Sequence, residues 1–285
     1  MKRHQNATHA SIAPHSLTPL GLLTLAACGG GGGSSPSVSS SGSSTVSGNA
    51  VAGPIDGAVA FVDYDEDGVL DIADEPYAYT GSDGGFSLTS TDADAPIVVT
   101  TDSATAGGLS VSAIDTSSDT SLSGITLKAP NGSTVVSPTS TVAYDLIKTN
   151  GLTEAQVATA LGLDGVSILS FNPYASGVDA STALAVEKVA SQVMTTVKAV
   201  AAAAEGAGAD AEDATNDAFS ALVTVVQTKT SAGQSIDLAN TTDLASVKTQ
   251  AATNLATASG IDATAFNTIL DTAMSSVKLV NDAIK

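Results

Sequence analysis

The sequence predicts an α+β multidomain chain: an N-terminal small antiparallel β-sandwich followed by a C-terminal all-α helical bundle. Three observations carry this. Between about residues 45 and 136, short β-branched runs alternate with Gly, Asp and Ser turns. From Pro138 onward the apolar period changes to that of a helix. The hydrophobic content of 43% is mostly Ala, Val and Leu, with only 4% aromatic residues, which suits small sandwiches and closely spaced helices.

Residues 1–27 read as an export signal. Met1, Lys2 and Arg3 form a basic start, and an apolar run from Leu17 to Ala27 follows, too short to span a bilayer. The run ends Leu25-Ala26-Ala27-Cys28, with Gly29 to Gly33 behind it. This box resembles the bacterial lipoprotein signal. The resemblance implies cleavage before Cys28, a diacylglycerol on its sulfur and an acylated amino terminus. Several acyl chains on one residue hold a protein at a membrane where one chain would not. By the sorting pattern of such lipoproteins, the resemblance with Gly29 in place of Asp implies the outer membrane. Residues 28–44 then form a Gly/Ser-rich tether, which spans about 50 Å when extended.

In the sandwich region, 45–136, the strand-like runs are Gly57–Val62, Tyr77–Thr80, Gly85–Thr89, Ile97–Thr100, Leu109–Val111 and Ile125–Leu127. The bundle covers 137–285. Pro138 opens a helix that stops at Asn150-Gly151. Thr153 with Gln156 forms a capping box ahead of Val157 and Leu161. Asp179 begins a long helix with Val186, Val189, Val193, Val197 and Val200 on one stripe. Further stripes run through Phe219–Val226, Leu244–Leu255 and Phe266–Ile284. These stripes read as core.

Charge and absent residue types exclude much chemistry. The net charge of −19 repels phosphate, so nucleic acid is not expected as a partner. All three His (His4, His9, His15) and the only Arg (Arg3) precede Cys28. Residues 28–285 carry eight Lys against 29 acids, and no His, Arg or Trp. No Ser-His-Asp triad, His zinc site or Arg clamp can be built from them. No Gly-rich stretch leads into a phosphate-binding helix. The expectation is a non-catalytic protein.

One motif carries positive information. Asp63, Asp65 and Asp67 alternate, Gly68 permits a sharp turn, and Asp71 and Asp74 follow. These are positions 1, 3, 5, 6, 9 and 12 of a calcium loop, with the carbonyl of Val69 as a further oxygen. Ca²⁺ needs six to eight oxygens, and alternating carboxylates on a turning backbone converge on one point. Position 12 is Asp rather than Glu, so neighbouring Glu75 is a second candidate to close the site. Between Cys28 and Leu127 there are 14 acids and no Lys or Arg, and seven of those acids lie within Asp63–Glu75. A divalent ion would relieve that repulsion locally.

The loop's flanks are strand-like, unlike those of a helical EF-hand. Gly53–Asp63, the acidic loop, Glu75-Pro76, Thr80 and Gly84-Gly85-Phe86 together resemble a carboxypeptidase-regulatory-like sandwich. They are similar to the calcium-binding B-type modules of serine-aspartate repeat surface proteins. Gly132–Pro138, with the helical stretch it leads into, resembles helical modules of large bacterial surface proteins. The resemblance implies calcium-stiffened stalk or adhesion modules, with a protein or glycan partner at the cell surface. The rival readings are a periplasmic or surface binding protein for a small molecule or peptide, and a metal-dependent hydrolase.

Overall fold

The computed structural model describes residues 43–255 and 261–285. Cys28, the signal and the tether up to residue 42 lie outside the described residues. Within them, ten strands precede six helices. The strands are β1 (Ser44–Ala50), β2 (Ile55–Asp56), β3 (Val59–Val62), β4 (Tyr77–Tyr79), β5 (Gly85–Ser90), β6 (Ile97–Thr100), β7 (Ala113–Asp115), β8 (Thr120–Leu122), β9 (Thr126–Ala129) and β10 (Val135–Val136). The helices are α1 (Pro138–Asn150), α2 (Glu154–Ala160), α3 (Ala180–Gly206), α4 (Ala211–Ser231), α5 (Thr241–Leu255) and α6 (Ala263–Ile284). The class is α+β, with strands first and helices after.

The strands form three small sheets, in the orders β10-β1-β5, β2-β7-β8 and β4-β3-β6-β9. β3 and β6 are buried along their whole lengths. Their alternate residues serve different cores. Ala60, Val62, Ile97 and Val99 face the main core. Val59, Phe61 and Val98 join Leu70 and Ala106 in a second, smaller cluster. Both faces are covered, so β3 reads as an unbroken apolar run and β6 as one that ends in Thr100. The four-stranded sheet is antiparallel throughout. The expected antiparallel pattern gives way at β1 and β10, which pair in parallel, Asn49 with Val135 and Ala50 with Val136.

β1 begins inside the stretch read as tether, at Ser44. Its sequence is polar, yet Val46 and Ala50 point inward and are buried. The run Leu109–Val111 is not a strand. Leu109 and Val111 pack, half-buried, on the smaller cluster. The strand follows at β7.

The helices start and stop where their caps dictate. Ser137 and Ser140 close a reciprocal capping box around Pro138, and Gly151, at φ 65°, ends α1. Thr153 and Gln156 do the same for α2. Asp179 accepts from the Thr182 N–H to open α3, and Asp262 caps α6. The chain changes from strand to helix at residue 137, and the core continues across that point. One buried cluster joins Leu127, Ala129 and Val136 to Val142, Leu146 and the stripes of the later helices. α1 lies directly on β9: the Lys128 N–H donates to Thr141 Oγ1 at 2.9 Å, and Ser140 Oγ donates to the Lys128 carbonyl at 2.8 Å. Among the described residues no helix is long and apolar enough to cross a membrane.

Candidate metal centre

The acidic loop joins β3 to β4, whose pairing places Phe61 opposite Tyr77. Backbone bonds fix its two ends. The Val62 N–H donates to the Pro76 carbonyl and the Asp63 N–H to the Pro96 carbonyl, both at 3.1 Å. Midway, buried Leu70 plugs into the smaller cluster and donates its N–H to the Thr105 carbonyl at 2.8 Å. The loop is thus held at both ends and in the middle, and the Asp side chains project from a fixed frame.

Within that frame Asp63, Asp65 and Asp67 converge: one carboxylate oxygen from each lies within 4.8 Å of the others. Two Asx turns shape the approach. Asp65 Oδ1 accepts the Asp67 N–H at 3.3 Å, and Asp67 Oδ1 accepts the Val69 N–H at 2.7 Å. Gly68, at φ +85°, makes the turn that aims its N–H back at Asp63 Oδ2, 3.0 Å away.

Asp63 differs from its two exposed companions. The residue is only 1% exposed. Its Oδ1 is buried and has no hydrogen-bond partner. Burial, followed by repulsion from Glu75, pushes its carboxyl up to about 6, against the Gly68 N–H and the charge of Lys128. A buried carboxylate oxygen with no donor is costly unless a cation faces it. That orphan oxygen, beside two more carboxylates, fits a hard dication.

Glu75 is buried and braces the loop. Its Oε1 accepts the Tyr64 N–H at 2.5 Å, and its Oε2 accepts the Asp71 N–H at 3.0 Å. Burial and the nearby Asp65 and Asp71 raise its own carboxyl. Asp71 and Asp74 are exposed and stand outside the group of three. The Asp71 carbonyl accepts the N–H groups of Asp74 and Glu75 in a tight turn. Val69 is half-buried.

Two lysines that the motif gave no hint of reach this loop. Lys148 of α1 pairs with Glu66, which sits at φ 62°, and also donates to Tyr144 Oη at 3.0 Å. Lys128 of β9 brings its ammonium against Gly68. Both lie far along the chain, so only the tertiary fold reveals them.

A second polar cluster lies where α3 meets the β2-β7-β8 sheet. A cavity of about 180 Å³ is lined by Asp115, Ser117, Tyr174, Glu187, Ser191 and neighbours. Tyr174 Oη donates to Glu187 Oε2 at 2.6 Å, while Glu187 Oε1 is buried without a partner. Burial, and then the charge of Asp115, raises the Glu187 carboxyl above its ordinary 4.5. Ionised Glu187 therefore costs the folded state stability above that ordinary value, and the cost vanishes once pH falls below it. Glu187→Gln is expected to melt a few degrees above the parent at pH 8. The gap should close as pH falls through the carboxylate range; a gap independent of pH in thermal melts would contradict this.

Compared with known proteins, the chain matches no family model, no curated protein and no solved structure.

Proposed function

We propose that this chain is a lipid-anchored, calcium-binding bacterial cell-surface protein with a structural or adhesion role and no catalytic one. Its strand half acts as a small β-sandwich stiffened by Ca²⁺, and its helical half as a bundle that extends the scaffold. Cys28 anchors it to the outer membrane, and the contact it makes is with an extracellular protein or glycan. The observation that carries the reading is that the carboxylate converging with those of Asp65 and Asp67 is the buried one of Asp63, whose Oδ1 has no hydrogen-bond partner. A site built from one buried and two exposed carboxylates suits a weak extracellular calcium module, with Kd of about 10⁻⁴–10⁻³ M. Asp71, Val69, Asp74 or Glu75 would complete the oxygen shell.

Calorimetric titration of folded protein with CaCl₂ tests it. Saturable heat that disappears in Asp65→Ala supports the reading. Heat equal to buffer dilution overturns the calcium site. The anchor is tested separately: labelled fatty acid should enter the parent protein in bacterial cells and not Cys28→Ser.

A surface binding protein is the second reading, favoured by the cavity beside Glu187 and Tyr174. Its two carboxylates would select a small cationic ligand, such as a protonated amine. Thermal shifts with simple amines, lost in Glu187→Gln, would bring it forward.

A further inference from the structure

We propose that Lys128 is the built-in counter-cation of the acidic loop and sets how tightly a divalent ion binds there. This rests on the calcium reading above.

The placement is specific. Gly68 donates the N–H that holds Asp63 Oδ2. A Cβ built on Gly68 would lie 3.3 Å from Lys128 Nζ and 3.9 Å from Lys128 Cε. The ammonium therefore rests against the bare Cα of the turn, on the side of the loop that faces β9. Gly68 leaves room for it. The lysine is half-buried, and its backbone is held at both polar groups by Thr141 and Ser140 of α1. Its side chain thus starts from a fixed base.

Lys128 is the first basic residue after Cys28, following 14 acids. Its charge stands beside the Gly68 turn that holds the buried carboxylate of Asp63. The same charge repels an incoming dication. One ammonium thereby lessens the cost of the buried carboxylate in ion-free protein and lowers affinity for the ion. It also links occupancy of the loop to β9 and α1. An acidic loop without such a lysine would bind calcium more tightly and fold less well without it.

Calorimetry with CaCl₂ and thermal melts in EDTA test this on the full chain. Lys128→Gln and Lys128→Met, the latter keeping the apolar stem, should bind calcium at least about tenfold more tightly than the parent. Lys128→Arg should bind within about threefold of the parent, since it keeps the charge. In EDTA, Lys128→Met should melt lower than the parent, and adding Asp63→Asn should remove most of that loss. Equal calcium affinities in the parent and Lys128→Met would overturn the role of Lys128 and leave the calcium site standing. No binding in any of the proteins would overturn the site and this inference together. Additive EDTA melts would overturn the counter-cation role whatever the titrations gave.

Discussion

Asp63→Asn is expected to raise the melting temperature of calcium-free protein and to erase the calcium response. A destabilising effect is the usual outcome of changing a buried residue. Here the sign reverses because the parent carboxylate is nearly fully buried with one oxygen unpartnered. Its carboxyl, lifted to about 6 by burial and Glu75, marks a charge held at a cost on the order of 2–3 kcal/mol at pH 7. Asparagine keeps the oxygen that accepts from Gly68 and removes the charge, so it recovers part of that cost. The parent should gain stability from calcium instead. At about 10 mM ion and a Kd of about 10⁻⁴–10⁻³ M, linkage gives roughly 1.4–2.7 kcal/mol. That corresponds to a rise of roughly 3–10 °C for a chain of this size. Melts of both proteins in EDTA and in CaCl₂ should therefore cross: the variant higher without ion, the parent climbing with it. A variant that melts below the parent in EDTA and still responds to calcium would refute the assignment of Asp63.

The second large effect concerns Leu146. It is fully buried on α1, in the cluster that joins β9 and β10 to the longer helices. Leu146→Ala removes three carbon atoms from that junction and should cost about 3 kcal/mol. The melting temperature should fall by roughly 6–12 °C. Because strands and helices share the cluster, far-UV ellipticity and Tyr fluorescence should fall together, in the parent and in the variant. The five tyrosines sit on both sides of residue 137, Tyr64, Tyr77 and Tyr79 before it and Tyr144 and Tyr174 after. Two separated transitions, only one of them moved by the substitution, would show that the two halves melt independently.

The helices were legible because each carries its own punctuation. Pro138 with Gly151, Thr153 with Gln156, and Asp179 are local signals, and each sits where the sequence places it. The buried runs of β3 and β6 were legible for a similar reason: four apolar residues in a row in β3, and three followed by Thr100 in β6, mark strands covered on both faces. The misses share a cause as well. β1 and β8 are rich in Ser and Thr, and β7 is only the three residues Ala113-Ile114-Asp115, so they owe their extended form to the strands beside them rather than to a β-rich run of their own. At the acidic loop, the spacing of Asp63, Asp65, Asp67 and Gly68 announced the convergence. It could not show that Glu75 clamps two backbone N–H groups, because such a contact depends on the exact path of the return strand. Nor could it show Lys128 or Lys148, which reach the loop only when β9 and α1 are in place.

The parallel pairing of β1 with β10 has a mechanical consequence. The Asn49 N–H bonds the Thr134 carbonyl and the Val51 N–H bonds the Val136 carbonyl, at 2.9 and 2.8 Å. A pull that enters at Ser44 and leaves through α1 runs lengthwise along both strands in opposite senses. These bonds are then loaded in shear and must rupture together, whereas a hairpin pulled from its open end unzips one rung at a time. In a force spectrometer, tension applied from Ser44 to Lys285 should meet greater resistance than tension applied between Ala113 and Leu122, at the open end of the β7–β8 hairpin.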